Sequence, residues 1–482
     1  MPRHTEDRRS FLVGFSAAAS GVQLRLPSVV QTLADWEPSI SEMRFPVALN
    51  STRTAFVDQF GSPCFACGED AAYLNEQLLK SDIEVYLSDR AARGFNMLWL
   101  IPVDAVYQSN PPNDAYGNAP FKGANFTNFN EAYWNYVDYV MQRCLRYGMT
   151  VLLMPAFIGQ NATQGYYDKF YKQSDALLHG YGTFLGDRYK SFPNLIWLLG
   201  GDADPNNRTE WAKLNTLAVA IKAADPVHLM TIEACRFRDS SDGGGAVPNG
   251  GYSSVDAHMI AYGSVQPWLD INWVYQTAPT CVSGAQRCYW QGKPCLLGED
   301  WYELDHSITP AGLRAEGYGA ILGGCTLGRL FGNQQIWPFN SPNSGNRSTT
   351  PSWQSQLSSD GSIGQQLLGK LFRSRSHHLL VPDTSNSVMM TGASSGSVCA
   401  RTKDGKTIIA YLPSRQTITI IMSEITDAGG RVNCNWFNPS TGRVIAIGDF
   451  VNNGTRDFTS PDSDDWVLVM DSAGAKLRAP GT

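Results

Sequence analysis

The sequence predicts a (β/α)8 barrel followed by a small all-β sandwich, and three observations lead there. Eight apolar runs alternate with amphipathic stretches between residues 63 and 332, at intervals that fit one strand, one helix and a loop. Two of those runs close on glycine and then a carboxylate, as parallel strands do where their C-terminal ends open into a pocket. Beyond Phe331 the texture changes to short alternating segments separated by turn signals, the pattern of an antiparallel sandwich. With 482 residues, 43 % of them hydrophobic and 17 % charged, the chain exceeds what one core usually organises. It divides into a leader over 1–36, a barrel with its connector over 41–378, and a sandwich over 385–476.

The strand candidates are 63–68, 95–103, 149–157, 194–202, 228–234, 269–277, 294–300 and 319–331. Helices fit between several of them. Segment 74–93 carries Leu78, Leu79, Val85, Tyr86 and Ala92 at helical spacing, and 130–146 carries Trp134, Val137, Val140, Met141 and Cys144. The span is close to the roughly 250 residues of a typical barrel. A doubly wound open sheet is the runner-up, but its first strand would lead into a glycine-rich phosphate loop, and here it leads into Gly68-Glu69-Asp70-Ala71-Ala72. After Phe331, 341–359 is rich in Ser, Asn, Pro and Gly and reads as a loop, followed by a short helix over 363–374. Strands are then expected at 406–413, 417–422, 431–437, 442–447 and 465–470, with turns at Asp404-Gly405 and Asn453-Gly454.

A net charge of −6 without a clustered Lys/Arg face argues against nucleic acid or an anionic membrane as partner. Arg8-Arg9-Ser10-Phe11-Leu12 precedes a small apolar stretch over 13–22, which reads as a twin-arginine-type export signal with cleavage near Leu33-Ala34. No other stretch reaches the roughly 18 apolar residues of a membrane span, so an exported protein, periplasmic or extracellular, is expected. Aromatic residues make up 11 % of the chain, 13 of them Trp, and such rings stack on sugar faces, so carbohydrate is the expected partner. Among the ten cysteines, Cys281 with Cys288 and Cys399 with Cys434 are plausible disulfides. Cys64 and Cys67 form C-x-x-C with no second pair or nearby His, and Cys295 and Cys325 lie in apolar runs as small core residues. Seven scattered histidines show no H-x-H or H-E-x-x-H spacing, so neither metal nor cofactor is expected.

The chemistry is carried by the two strand-ending acids. Asp202 closes Asn194-Leu-Ile-Trp-Leu-Leu-Gly-Gly-Asp202, and Glu299 closes Pro294-Cys-Leu-Leu-Gly-Glu299. A buried strand offers few structural uses for a carboxylate. Two acids meeting across a barrel mouth fit glycosidic bond cleavage, in which one protonates the leaving oxygen and the other attacks the anomeric carbon. The acid needs a raised pKa, so Asp202 is expected in the more desolvated or more anionic setting, with Asp204 and Glu303 as candidate neighbours. Asp202 has one competing use, capping the helix expected over 209–224, but Asp204 ahead of Pro205 fits that duty better.

Arg90-Ala-Ala-Arg-Gly-Phe-Asn96, Arg188-Tyr189, Pro193 through Asp202, Trp268-Leu-Asp270, Tyr275-Gln276 and Lys293-Pro-Cys-Leu-Leu-Gly-Glu-Asp-Trp-Tyr-Glu303 together resemble the apiosidase-like glycoside hydrolase family. Trp436-Phe-Asn-Pro-Ser-Thr-Gly442 and Asp465-Trp-Val-Leu-Val-Met470 look like the domain, often labelled collagen-binding, that follows those barrels. The resemblance covers nearly everything after the leader. It implies a retaining glycosidase whose general acid/base falls on Asp202 and whose nucleophile falls on Glu299. The chain departs from the family where Gly68-Glu69-Asp70-Ala71-Ala72 replaces the usual Gly-Asp-Thr followed by Trp, and where Thr277-Ala278-Pro279 lacks a His. Asp300 also stands where a Pro often follows the nucleophile. These positions shape the sugar subsite, so apiose is one candidate among plant or microbial glycans.

Further sugar contacts are expected from Glu69 and Asp70 after the first strand, Trp99, Tyr275 and Gln276 after the sixth, and Trp301, Tyr302 and Glu303 after the seventh, with Tyr302 placed to orient Glu299. Trp268 and Trp337 are additional stacking candidates, and His258 and His306 rim candidates. Two other classes compete. A carbohydrate-binding or adhesive protein using the barrel as scaffold predicts loss of one acid, and both are present. A metal-dependent hydrolase or an aldolase needs ligands or a strand-end lysine, and Lys293 starts its strand.

Overall fold

The protein is represented by a computed structural model that describes residues 15–16, 23–24, 43–203, 205, 207–234, 252–275, 281–344 and 349–482. Apart from residues 15–16 and 23–24, the leader lies outside the described residues, as does Gln276. The barrel strands are β1 (Ala66–Glu69), β2 (Met97–Leu100), β3 (Thr150–Leu153), β4 (Leu195–Ala203), β5 (Met230–Ala234), β6 (Asn272–Tyr275), β7 (Cys295–Glu299) and β8 (Gly328–Phe331). β1 through β5 pair in sequence, β6 through β8 follow, and β8 returns to β1, every pairing parallel. Alternation along each strand makes two cores. Met97, Trp99, Leu152, Ile196, Leu198, Trp273 and Leu296 fill the interior, whereas Leu98, Leu100, Val151, Leu153, Leu195, Trp197 and Leu199 face the helices.

Among the described residues, the one seam without a continuous ladder lies between β5 and β6, and local hydrogen bonds close it. The Asp270 amide donates to the Met230 carbonyl at 2.8 Å, and Met230 N–H donates to Asp270 Oδ2 at 3.0 Å. Thr231 Oγ1 donates to Ile271 O at 2.8 Å, while Ser254 Oγ donates to Ile232 O at 2.7 Å and accepts from Trp273 N at 3.0 Å. Each strand edge therefore finds the partners that buried backbone requires.

The eighth candidate, 319–331, divides into the end of a helix, Pro310–Gly323, and strand β8, because Gly324 at φ 132° breaks the helix and lets the chain turn back. The expected helix over 74–93 also divides, into Leu74–Gln77 and Lys80–Ala92, since Leu78 and Leu79 are extended (ψ 137° and 164°). All nine described cysteines are free, which corrects both expected disulfides. Cys281 and Cys288 share the helix Cys281–Tyr289. Seven residues of helical rise hold their backbones about 10 Å apart, too far for a bridge. Cys399 and Cys434 lie three strand spacings apart across one sheet, about 14 Å.

That sheet is the larger layer of the sandwich, in the order Leu380–Pro382, Val398–Thr402, Thr407–Leu412, Trp466–Ser472, Arg431–Phe437 and Val444–Val451. A pair of strands, Thr417–Ile421 and Thr455–Thr459, covers one face. Period-two alternation gives the sheet two buried faces. Ile408, Ala410, Leu412, Leu468 and Met470 meet Ile418, Ile420 and Phe458, while Ile409, Tyr411, Val467 and Val469 meet Tyr318, Ile321, Leu368 and Phe372 of the barrel helices. Tyr318 and Tyr411 stack at 5.2 Å across this junction. Among the described residues no helix is long and apolar enough to cross a membrane.

Candidate active site

The end of β4 is built to present one carboxyl group. Leu199 pairs with Ile232 and Ala203 with Ala234, so four residue steps on β4 span two on β5 and Gly200-Gly201-Asp202 bulges out. All three bulge residues have positive φ (100°, 77° and 49°). The two glycines are required there, because a Cβ on Gly200 would lie 2.0 Å from Glu233 O and one on Gly201 2.7 Å from Met154 Sδ. Bulge carbonyls accept from Ile158 N at 3.0 Å and Gly159 N at 2.8 Å, and the Asp202 amide donates to Glu233 Oε2 at 2.8 Å. Asp202 does not cap the following helix. Asn207 does, accepting from Glu210 N at 3.0 Å, and Asp204 lies outside the described residues.

Asp202, Glu233 and Glu299 converge, with one carboxylate oxygen from each within 4.8 Å of the others. Glu233 Oε1 is buried without a hydrogen-bond partner and a Glu233 oxygen stands within 4.8 Å of one on Glu299, so the two can bond to each other only through a proton on one of them. Burial, with the charges of Asp202 and Asp70, pushes both glutamic acids well above the usual carboxylate range. A raised pKa thus falls on Glu233 and Glu299, the two glutamic acids beside Asp202. Three oxygens at this spacing suit a divalent cation as well as a shared proton, and Glu233 Oε2 also accepts the Asp202 amide.

The acids lie in a cavity of about 560 Å³. Trp99, Tyr107, Phe157, Trp301 and Trp337 supply its aromatic walls, with Tyr107 set edge-on to Phe157 at 5.4 Å and to Trp337 at 5.8 Å. Trp301 overlies His306 at 3.7 Å, and His306 Nδ1 meets Asp305 Oδ2 at 2.7 Å. Asp70 and Tyr275 also line the cavity. The Tyr302 hydroxyl donates to Asp70 Oδ2, not to Glu299 as expected, and Asp70 Oδ1 is buried without a partner. Burial raises Asp70 to about 8, with Glu69 and Asp202 adding to the effect.

Four expected contacts are turned away. Glu69 faces outward from β1, where its carboxylate accepts from Arg90 Nη1 at 3.0 Å and the Tyr86 hydroxyl at 2.7 Å. Glu303 accepts from Asn333 Nδ2 at 2.8 Å, Ser359 Oγ at 2.6 Å and Gly361 N at 2.9 Å, anchoring the helix Asp360–Arg373. Trp268 is buried against His258 and donates to Asn215 Oδ1 at 2.9 Å. His258 is buried too, and desolvation lowers its pKa to about 3. Glu233 was missed, although Met230-Thr-Ile-Glu-Ala234 shows the signal that picked out the other two acids: a carboxylate near the end of an apolar strand.

Residues 50–378 match the family described as apiosidase-like, catalytic domain, and residues 381–471 match a family named for a collagen-binding domain of a collagenase. No curated protein matches the chain. Among solved structures, one described as a glycoside hydrolase aligns at 22 % identity with a TM-score of 0.73, covering 89 % of this chain and 97 % of its own. A structure described as a glycoside hydrolase family 5 from Bacteroides vulgatus aligns at 20 % identity with a TM-score of 0.73, covering 89 % and 94 %. These likenesses establish a shared fold.

Proposed function

Because the chain belongs to the apiosidase-like catalytic-domain family, we propose that it is a retaining glycoside hydrolase in which Asp202 is the general acid/base and Glu299 the nucleophile. The observation that carries this reading is the approach of their carboxylate oxygens to within 4.8 Å at one mouth of the barrel. Retaining pairs stand about 5 to 5.5 Å apart, whereas an inverting pair leaves room for water at about 6.5 to 9.5 Å. In the first displacement Glu299 bonds to the anomeric carbon, the bond to the leaving oxygen breaks, and Asp202 delivers its proton to that oxygen. In the second, Asp202 takes a proton from water, which displaces Glu299 with a second inversion.

The aromatic walls favour a sugar ring over a charged or extended aliphatic group. Asp70, Asp202, Glu233, Glu299, Asp300 and Asp305 face the cavity with no lysine or arginine among its described lining residues, and Asp300 is matched by the buried guanidinium of Arg329 at 2.6 Å. A neutral sugar suits this setting and a uronic acid does not. The Arg8-Arg9 segment supports export to the periplasm or beyond.

A screen of plant cell-wall oligosaccharides, with the product anomer followed by NMR, tests the assignment. Release of a neutral sugar with retained configuration is expected, and Glu299→Gln and Asp202→Asn each lower kcat by at least about 10³-fold in folded protein. Turnover by Glu299→Gln, or an inverted product, overturns it. Binding without release by the native chain points instead to a carbohydrate-binding scaffold.

A further inference from the structure

We propose that Glu233 is a positioning residue that holds the proton shared with Glu299, so that Glu299 attacks as a carboxylate, while its other side fixes the bulge that presents Asp202. The role rests on the hydrolase reading above and adds a third carboxyl group to it. Two geometric facts support it. Glu233 Oε2 accepts the Asp202 amide at 2.8 Å, within a segment where a non-glycine residue sits at φ 49° and needs an external acceptor to stay there. The same carboxyl group keeps its Oε1 buried without a partner, and one of its oxygens lies within 4.8 Å of one on Glu299.

Three carboxyl groups this close cannot all ionise in a desolvated site. The titratable groups facing Glu233 are Asp202 on β4, Glu299 on β7, Asp70 after β1 and, farther round the cavity, Tyr275 and Tyr302, with no lysine or arginine among the described lining residues. One negative charge over the trio is the balanced state, with protons on Asp202 and Glu233 and the charge on Glu299. In the first displacement the Glu299 oxygen bonds to the anomeric carbon, the bond to the leaving oxygen breaks, and Asp202's proton goes to that oxygen. Glu233 keeps its proton throughout, as a neutral carboxylic acid donating to Glu299. A buried acid retained in neutral form also explains why burial at β5 is tolerated.

The test uses the full chain labelled with ¹³C at glutamate side-chain carboxyl carbons and needs no substrate. The wild type is expected to show two coupled resonances, with one proton still held at pH 7. Glu233→Gln should abolish that proton and leave Glu299 titrating in a single step, and Glu299→Gln should likewise leave a single titrating partner. Persistence of the held proton in Glu233→Gln, or full ionisation of both groups below pH 6 in the wild type, overturns the inference. On the oligosaccharide mixture of the screen, Glu233→Leu should lose about 10²-fold or more in kcat, with Glu233→Gln recovering much of it, because its amide both accepts from Asp202 and donates to Glu299. Equal losses in the two variants also overturn it. Should Glu233→Leu fail to fold, the spectra of Glu233→Gln decide. Sugar release by the native chain tests the hydrolase separately, so the two readings fail independently.

Discussion

Asp70 illustrates how much one side chain contributes to both binding and stability. Its Oδ2 accepts from Tyr302, its Oδ1 is buried in the cavity with no partner, and such an oxygen is satisfied when a sugar hydroxyl arrives. Asp70→Asn is therefore expected to raise KM more than it lowers kcat, by about 1–3 kcal/mol in kcat/KM, and steady-state kinetics check this. Stability moves the other way. The folded pKa of about 8 stands above the unfolded value of 3.8, so the folded state keeps a proton that the unfolded chain releases. Stability linked to Asp70 is complete below pH 3.8 and is lost as pH rises toward 8. Thermal melts should show Asp70→Asn gaining most over wild type near pH 8 and little near pH 4. Asp70 was expected from sequence to contact sugar, as was Glu69 beside it. Nothing in the local sequence separated them. Strand alternation sends Asp70 inward and Glu69 outward to Arg90, which only the position of the Lys80–Ala92 helix reveals.

At the level of elements, the strand ends do the positioning. Gly298 on β7 leaves room for Trp273, and a Cβ there would fall 1.9 Å from the ring, so the residue before Glu299 sets the packing of the barrel interior. Gly298→Ala should cost about 1–3 kcal/mol in a denaturant titration and displace Glu299 enough to lower kcat. Gly200→Ala should reduce activity with a smaller effect on global stability, because its Cβ would meet the Glu233 carbonyl at 2.0 Å and Ala203 Cβ at 3.3 Å, both within the bulge and its neighbour strand, and strain the bulge. Measuring melts and kcat on both variants separates core packing from bulge geometry. The Gly-Gly-Asp ending was legible as a strand terminus. The bulge was not, since its register depends on β5, and for the same reason the acceptor of Asp202's amide was invisible.

For the molecule as a whole, the sandwich is part of the barrel's support. Arg375 donates to Asp471 at 2.7 Å with both side chains buried, and Arg314 pairs with Asp465 at 2.7 Å, which also accepts from Tyr411 at 3.1 Å. Arg375→Met leaves Asp471 with an uncompensated buried charge and should cost about 3–5 kcal/mol, read as a lowered melting temperature, while kcat of the folded fraction stays near wild type because the cavity lies elsewhere. Deleting the chain from residue 380 onward should be worse. It bares Phe372, Leu368 and Tyr318, an apolar face that soluble proteins do not expose, so aggregation on expression is the expected outcome.

Periodicity in the sequence determined the number of strands, their parallel order and the identity of the two strand-ending acids, because these depend on residue spacing along one segment at a time. Contacts between segments were decided by the tertiary structure alone: the seam that Asp270 and Ser254 close, the separation that forbids the two disulfides, and the arrival of Glu233 between Asp202 and Glu299. The physical reason is that burial, hydrogen-bond partner and proton occupancy belong to the space between strands, and that space exists only once the sheet has closed.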